Sequence, residues 1–176
     1  MTTQNDADPS RERPSSRRDF VAAVTAAAAA TAAGSGSAQA QAATNVRHSN
    51  PSGMNQPTGY SQVVEVNGPH RLVFIAGQTG VDAGNKPAKG FRAQITQAYA
   101  NIKTALASVG GSMDNVVRLT TYVTDIEQNA DIYREVRTAT FNKNALPAST
   151  LVQVVRLADP SYLVEIDAIA ILPPRP

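Results

Sequence analysis

Two carboxylates near the end of the chain are the residues whose type and spacing could most readily do chemistry. Glu165 and Asp167 stand two positions apart in an apolar run with Val164, Ile166 and Ala168. Side chains two apart in a β-strand point to the same face of the sheet, so both carboxylates emerge together. A carboxylate in such a strand is either a solvated residue at a sheet edge or an acid–base group held in a site. Spacing alone leaves both interpretations open.

Other catalytic arrangements find little support in the sequence. The chain has no cysteine, which excludes disulfides, thiolate metal sites and cysteine nucleophiles. His48 and His70 have no carboxylate at metal-ligand spacing, so no metal site is predicted. The segment 77–80 contains two glycines but lacks the lysine and the following helix of a phosphate-binding loop.

The beginning of the chain reads as an export signal. Arg17 and Arg18 directly precede an Ala-rich run over residues 21–33, and small residues alternate after that run. A basic region, a weakly apolar stretch and small residues, in this order, are typical of a secretory signal, and the Arg pair resembles the twin-arginine type. We therefore interpret residues 1–42 as a signal peptide of an exported, periplasmic protein. The run is too short and too weakly apolar for a stable membrane anchor.

The remaining chain has the length and composition of one domain. The whole sequence has 176 residues, 42% of them hydrophobic and 17% charged, with a net charge of +2. So small a charge excess does not indicate a nucleic-acid surface. Turn-forming residues predict a flexible arm or surface loop over 43–59, a domain over 60–172 and a Pro-rich tail over 173–176.

Hydrophobic periodicity predicts the element order β-β-α-β-α-β-β for this domain. The predicted strands are 63–66, 71–76, 116–123, 150–157 and 163–172, the predicted helices are 90–109 and 129–141, and Asn67-Gly68 is a predicted hairpin turn. Right-handed crossovers place both helices on one face of a single sheet, which makes a two-layer α+β fold. The other face carries Val, Ile and Leu side chains, so we expect oligomerisation to bury it.

Six short segments in this order resemble the RidA/YjgF family of reactive-intermediate deaminases over about residues 57–172. The segments are Gly59-Tyr60-Ser61-Gln62, Phe74-Ile75-Ala76-Gly77-Gln78, Gly90-Phe91-x-x-Gln94-x-x-Gln97-Ala98, Val117-Arg118-x-Thr120-x-Tyr122-Val123-x-Asp125, Pro147-Ala148-Ser149-Thr150 and Val164-Glu165-Ile166-Asp167-Ala168-Ile169-Ala170.

The resemblance implies a chorismate-mutase-like α+β fold that forms a homotrimer with a cleft between each pair of subunits. It implies hydrolysis of 2-imino and enamine acids to 2-keto acids and ammonia, with neither a metal nor an organic cofactor. By motif, Glu165 matches the family residue that orients the water, and Tyr60 matches a tyrosine of the cleft. We assign these two as catalytic, and by the same matches we assign Gly77, Leu151 and Arg134 as substrate-binding.

The sequence departs from the family at two positions. Ser149 stands where the family has an Arg that clamps the substrate carboxylate, and Ala76 stands where it has a turn Ser. We keep Ser149 among the substrate-binding residues, but a hydroxyl offers one neutral bond where a guanidinium offers a charged fork. Losing such a contact costs on the order of 2–5 kcal/mol. Arg118, Arg134 or Arg156 could supply a substitute cation.

Two functions follow from these patterns, and the sequence does not decide between them. The first is an exported RidA-like hydrolase with divergent specificity for a small imine, enamine or carbonyl metabolite. The second is a non-catalytic module of the same fold that binds a small molecule. RNA cleavage, a label attached to some members of the family, is disfavoured by the predicted export and the modest charge.

Overall fold

A computed structural model describes residues 44–175, and the predicted signal peptide lies outside the described residues. The chain forms six strands, two α-helices and one short 3-10 helix in this range. In chain order these are β1 Asn45–Ser49, β2 Val63–Asn67, β3 Arg71–Thr79, α1 Phe91–Ser108, the 3-10 helix Met113–Asn115, β4 Val116–Val123, α2 Ile126–Thr140, β5 Ala148–Gln153 and β6 Val164–Leu172. Neither α-helix in this range has the length and apolar content that crossing a membrane requires.

The larger sheet has four strands in the order β3-β6-β4-β5. Strand β6 runs antiparallel to both β3 and β4, and β5 runs parallel to β4. Helix α1 connects β3 to β4, and α2 connects β4 to β5. Both connections therefore join parallel strands, as crossovers do. The predicted α+β fold with helices between strands is confirmed.

The core lies between one face of this sheet and the two helices. Ile95, Ile102 and Leu106 of α1 are fully buried, as predicted from the apolar stripe of that helix. From the sheet, Leu119 and Ile166 pack into the same cluster. Their strand neighbours point the other way and are less buried, because successive side chains of a strand alternate between faces. The predicted placement of both helices on one sheet face is confirmed.

The face without helices is partly apolar and partly open to solvent. Phe74 and Leu72 of β3 are 72% and 51% exposed, and they pair in register with Ile169 and Ile171 of β6. On β5, Val152 is also exposed. Apolar side chains that stand together on one surface mark a place where another molecule binds. The predicted uncovered apolar face is therefore present.

The beginning of the domain differs from the prediction in two respects. Residues 43–59 were expected to form a flexible arm or loop, but Asn45–Ser49 within them is a strand, β1. It pairs antiparallel with β2, and the side chains of Arg47 and Glu65 form an ion pair across the two strands. The His48 ring also bonds to the carbonyl of Leu146, so the segment is attached to the domain.

The second difference is the hairpin predicted at Asn67-Gly68. Strand β2 pairs with β1 in a separate two-stranded sheet, and the single sheet predicted for all strands is wrong in this respect. Gly68 has a positive φ of 85°, as a turn residue can. The next residue, Pro69, has no N–H to donate to a strand ladder, which explains why β2 and β3 do not continue as one hairpin.

Candidate functional site

Glu165 lies in β6, in the middle of the larger sheet. Its register partners are Thr79 on β3 and Tyr122 on β4, so strands pair with β6 on both sides of it. The interpretation of Glu165 as a solvated edge residue is therefore wrong. The side chain is half-buried on the sheet face that no helix covers. A carboxylate in that position is available to a ligand or to another subunit.

A β-bulge places Gly77 directly against this carboxylate. The register of β3 with β6 shifts by one residue between Ile75 and Gln78, so Ala76 and Gly77 of β3 together lie opposite Asp167 of β6. A Cβ atom at position 77 would collide with the Oε1, Cδ and Cγ atoms of Glu165. Glycine is thus the residue that lets the carboxylate lie over the backbone here, a common use of glycine in strands.

Asp167 shares the face with Glu165, as the spacing predicted. It has a different environment, because the Tyr122 hydroxyl donates a hydrogen bond of 3.4 Å to Asp167 Oδ2. Thr120 is its register partner on β4. Of the two carboxylates, Glu165 is the one whose side chain lies against Gly77, which makes it the better candidate for acid–base work.

The other predicted site residues line a groove between α2, β5 and the loop before β2. The groove has a volume of about 440 Å³, and its lining includes Tyr60, Ser149, Leu151 and Arg134. Ser61 fixes the loop, since its hydroxyl donates to the carbonyl of Leu146 at 2.6 Å and its N–H donates to the carbonyl of Pro147 at 3.2 Å.

Within one chain the predicted site residues fall into two separate groups. Ser149 and Leu151 pair in register with Leu119 and Thr121, which are buried on the helix side of the sheet. Glu165 pairs with Tyr122 and lies on the opposite side. The structure therefore brings Tyr60, Ser149, Leu151 and Arg134 together, and Gly77 with Glu165, but it does not join the two groups in a single subunit.

The three proposed substitute cations are not placed to replace the family's Arg inside the groove. Arg118 and Arg156 are exposed, and neither is part of the groove lining. Arg134 lies at the groove, but its side chain is 71% exposed and pairs with Asp131 at 2.8 Å. It forms part of the rim rather than the interior.

A cation that the sequence analysis missed lies inside the groove. Arg137 of α2 is only 4% exposed and belongs to the lining. Its guanidinium carbon is 5.7 Å from the centre of the Phe141 ring. The signal was available in the sequence, because Arg137 follows Tyr133 by four residues and so falls on the inner stripe of α2.

A buried tyrosine, Tyr99, lies near Arg137. Burial raises the pKa of Tyr99, the nearby Tyr133 raises it further, and the positive charge of Arg137 acts in the opposite direction. The Tyr99 ring packs edge-on against Phe141 at 5.7 Å. The Tyr99 hydroxyl therefore stays neutral at ordinary pH, and a positive charge stands beside it.

The histidines have structural contacts rather than metal contacts. The rings of His48 and His70 bond to the carbonyls of Leu146 and Gly68 at 2.8 and 2.9 Å. Among residues 44–175, no three His, Cys, Asp or Glu side chains group as metal ligands would.

Comparison with known proteins identifies the family. The profile of the family described as Endoribonuclease L-PSP matches residues 50–172. A RutC family protein of Aquifex aeolicus is 40% identical over 74 residues, which cover 41% of this chain and 57% of that protein. The 2-iminobutanoate/2-iminopropanoate deaminase of Mus musculus is 32% identical over 117 residues, which cover 65% of this chain and 82% of the mouse protein.

The fold comparison agrees with the sequence comparison. The crystal structure of YyfB from Yersinia pestis, described as a protein of unknown function of the conserved Rid family, superimposes with a TM-score of 0.67. The two sequences are 33% identical, and the match covers 73% of this chain and 99% of that one. Because the profile match spans most of the described domain and the folds agree, the chain belongs to the Endoribonuclease L-PSP family, the RidA/YjgF family that its six segments resemble.

Proposed function

We propose that this protein is a cofactor-independent hydrolase of the enamine/imine deaminase type, active as a homotrimer. The observation that carries the proposal is the Glu165 carboxylate, held against Gly77 by the bulge of β3 on the uncovered sheet face. The mouse relative, which carries the name of an imine deaminase, supports the reaction class. The divergence at Ser149 is the reason to expect a specificity of its own.

The site is proposed to form between subunits. One subunit supplies Glu165 and Gly77 from its uncovered face, and the neighbour supplies the groove with Tyr60, Ser149 and Leu151. Two observations support this division: the two groups lie on opposite sides of the sheet, and Phe74 beside the first group is 72% exposed. An exposed apolar face next to half of a site is suited to bury against another copy of the chain.

In the proposed reaction, the Glu165 carboxylate takes part in two proton transfers. The oxygen of a water molecule attacks the carbon of a protonated imine, and Glu165 accepts a proton from that water. The electron pair of the C=N bond moves to the nitrogen. Glu165 then returns the proton to the nitrogen of the carbinolamine. The C–N bond breaks, ammonia leaves, and the remaining hydroxyl proton passes to ammonia, giving a carbonyl product and ammonium. A positioned acid–base group of this kind contributes about 10²- to 10⁴-fold to a rate.

The first test measures ammonia release from 2-imino acids that an amino-acid oxidase generates in the assay. We expect wild type to exceed spontaneous hydrolysis and Glu165→Gln to lose about 10²-fold or more of the excess, because the amide cannot accept the proton. Glu135→Gln is the matched control, since Glu135 is an exposed acid paired with Arg92. Equal rates for wild type and Glu165→Gln would refute the role of Glu165.

The second test asks whether the site is shared. Glu165→Gln and Tyr60→Ala are each inactive by the proposal, but co-expressed subunits assemble into mixed trimers. Random mixing restores both intact halves at about one quarter of the interfaces, so about one quarter of wild-type activity should return. If the complete site lies within one chain, the mixture stays inactive.

A second candidate is a non-catalytic module that binds a small molecule, and the replacement of the family's Arg by Ser149 favours it. The two candidates differ in what Glu165→Ala removes. A binding module keeps its ligand after this change and releases no ammonia even as wild type, whereas the hydrolase loses turnover. Gel electrophoresis of single-stranded RNA incubated with the protein tests the activity in the family's description, and a net charge of +2 leads us to expect no cleavage.

Export is a further part of the proposal. It rests on Arg17 and Arg18 before the Ala-rich run of residues 21–33. Replacing both arginines by lysine should keep the full-length protein in the cytoplasm, because Lys lacks the planar guanidinium of Arg. Cell fractionation and the N-terminal sequence of the exported chain measure this, and equal export of the Lys variant would contradict a twin-arginine signal.

A further inference from the structure

Arg137 of helix α2 points inward. This is unusual, because arginine side chains almost always reach solvent. Arg137 is 4% exposed, and two of its guanidinium nitrogens, Nε and Nη2, are buried without a hydrogen-bond partner. The ion pairs among residues 44–175 join other side chains, so no acidic group within that range neutralises Arg137. Taking a charge out of water is costly unless an opposite charge meets it.

The surroundings of this guanidinium are aromatic and backbone groups rather than acids. Phe141 lies under it, and Tyr99 and Tyr133 are the titratable groups beside it. The loop before β2 passes on another side, since a Cβ atom at Gly59 would be 3.6 Å from Arg137 Nη1. Arg137 is also part of the groove lining, although Nε and Nη2 themselves are buried.

The other residues of the groove lining indicate which further groups a ligand should have. Leu151, Ile126 and Ala130 form apolar wall, and the hydroxyls of Tyr60 and Ser149 belong to the same lining. A ligand that satisfies all of them has one negative charge, a polar atom for a hydroxyl and a short apolar tail. A volume of about 440 Å³ is in the range of small-molecule sites.

We propose that Arg137, which reaches the groove from α2, is the residue that binds the carboxylate of the substrate in this groove. The inference deepens the proposed function and rests on it for the nature of the reacting group. By this inference the positive charge that Ser149 does not provide on β5 comes instead from Arg137 on α2.

The test measures binding of two probes of the same shape, 4-methyl-2-oxopentanoate and the neutral 5-methylhexane-2,3-dione, by calorimetry or ligand-observed NMR. We expect wild type to prefer the acid. Arg137→Gln should weaken acid binding by about 10- to 100-fold, the size of a lost charge-assisted hydrogen bond, and leave diketone binding within about twofold. Lys103→Gln, which removes an exposed charge on α1, should change neither.

Two further variants keep the test decisive. Ser149→Arg in the Arg137→Gln background returns a cation to the groove from β5, so it should restore the preference for the acid. If Arg137→Gln does not fold, Arg137→Lys keeps the charge without the fork, and we expect it to bind the acid about 2- to 10-fold more weakly than wild type, as the loss of one hydrogen bond predicts. Unchanged acid affinity in Arg137→Lys overturns the inference. A preference for the acid that survives in Arg137→Gln overturns the inference.

The remaining outcomes separate this inference from the proposed function. Wild type that prefers the acid through Arg137 but releases no ammonia supports the inference and refutes the hydrolase. Ammonia release with equal binding of both probes supports the hydrolase and refutes the inference. Arg137→Gln that lowers the oligomer mass in light scattering and leaves the acid preference intact assigns Arg137 to subunit contacts, and this also overturns the inference.

Discussion

At the scale of single residues, two glycines three positions apart carry different consequences. The three atoms nearest to a methyl group at Gly77 would belong to the side chain of Glu165, whereas those nearest to one at Gly80 would be the Cα, Cβ and Cγ atoms of Gln94 in α1. A side-chain carboxylate can rotate away at small cost, but a helix backbone cannot. Gly77 is therefore placed to affect chemistry, and Gly80 to affect packing.

We expect Gly77→Ala to change the free energy of unfolding by no more than about 1 kcal/mol and to remove most ammonia release, because Glu165 has to move. Gly80→Ala should destabilise the protein by about 1–3 kcal/mol, the usual cost of overpacking. Urea unfolding and the ammonia assay measure the two effects. A Gly77→Ala protein with wild-type turnover would show that the position of Glu165 does not matter.

At the scale of elements, Gln94 attaches α1 to the connection between β5 and β6. Its Nε2 donates to the carbonyls of Ala88 and Ser161 at 3.1 and 2.8 Å, and its Oε1 accepts from the N–H of Leu163 at 2.8 Å. The side chain is 2% exposed, so water cannot replace these bonds when they are lost. The element that carries Glu165 thus begins at a position set by a glutamine of α1.

We expect Gln94→Leu to lower the free energy of unfolding by about 2–4 kcal/mol, since three backbone groups lose the hydrogen-bond partner that the buried Gln94 provides. Gln128→Leu on α2 is the matched control, because Gln128 is exposed, and it should change stability by less than about 0.5 kcal/mol. Denaturant unfolding with a shared m-value measures both. Equal stability of the two variants would mean that the connection is held by other contacts.

At the scale of the whole molecule, the uncovered face of the larger sheet is the surface that we expect to contact another subunit. Phe74→Glu places a charge on β3 at one edge of this face. We expect it to convert the proposed trimer to a monomer, because an unpaired charge is costly to bury. Val155→Glu is the control, since Val155 is fully exposed outside the described strands. Light scattering measures the mass, and an unchanged oligomer for Phe74→Glu would exclude this face from subunit contacts.

Much of the fold was readable from local patterns. The α1 stripe predicted a helix over 90–109, and the structure has Phe91–Ser108. Alternation predicted 116–123, which is the extent of β4. For α2 the prediction of 129–141 began too late, because Asp125 caps the helix by accepting from the N–H of Gln128. Such patterns succeed because periodicity reports which face of an element is buried.

The residues of the candidate site were harder to predict from the sequence than the fold was, and Arg137 shows the reason. The substitute cations that the sequence suggested are Arg118, Arg134 and Arg156. Arg137 was not among them, although its spacing from Tyr133 places it on the inner stripe of α2. Whether a helix position faces a groove or the solvent depends on the loop that packs over it, here residues 55–60. Local sequence patterns do not contain that long-range contact.

The sequence by itself determined the two helices and strands β2 to β6, the alternation that places Glu165 with Asp167, and the family. Only the tertiary structure decided which strands meet: β1 pairs with β2, β6 lies between β3 and β4, and a bulge brings Gly77 to Glu165. The physical reason is that side-chain periodicity is a property of each element alone. Strand partners and buried charges depend instead on contacts between residues far apart in the chain.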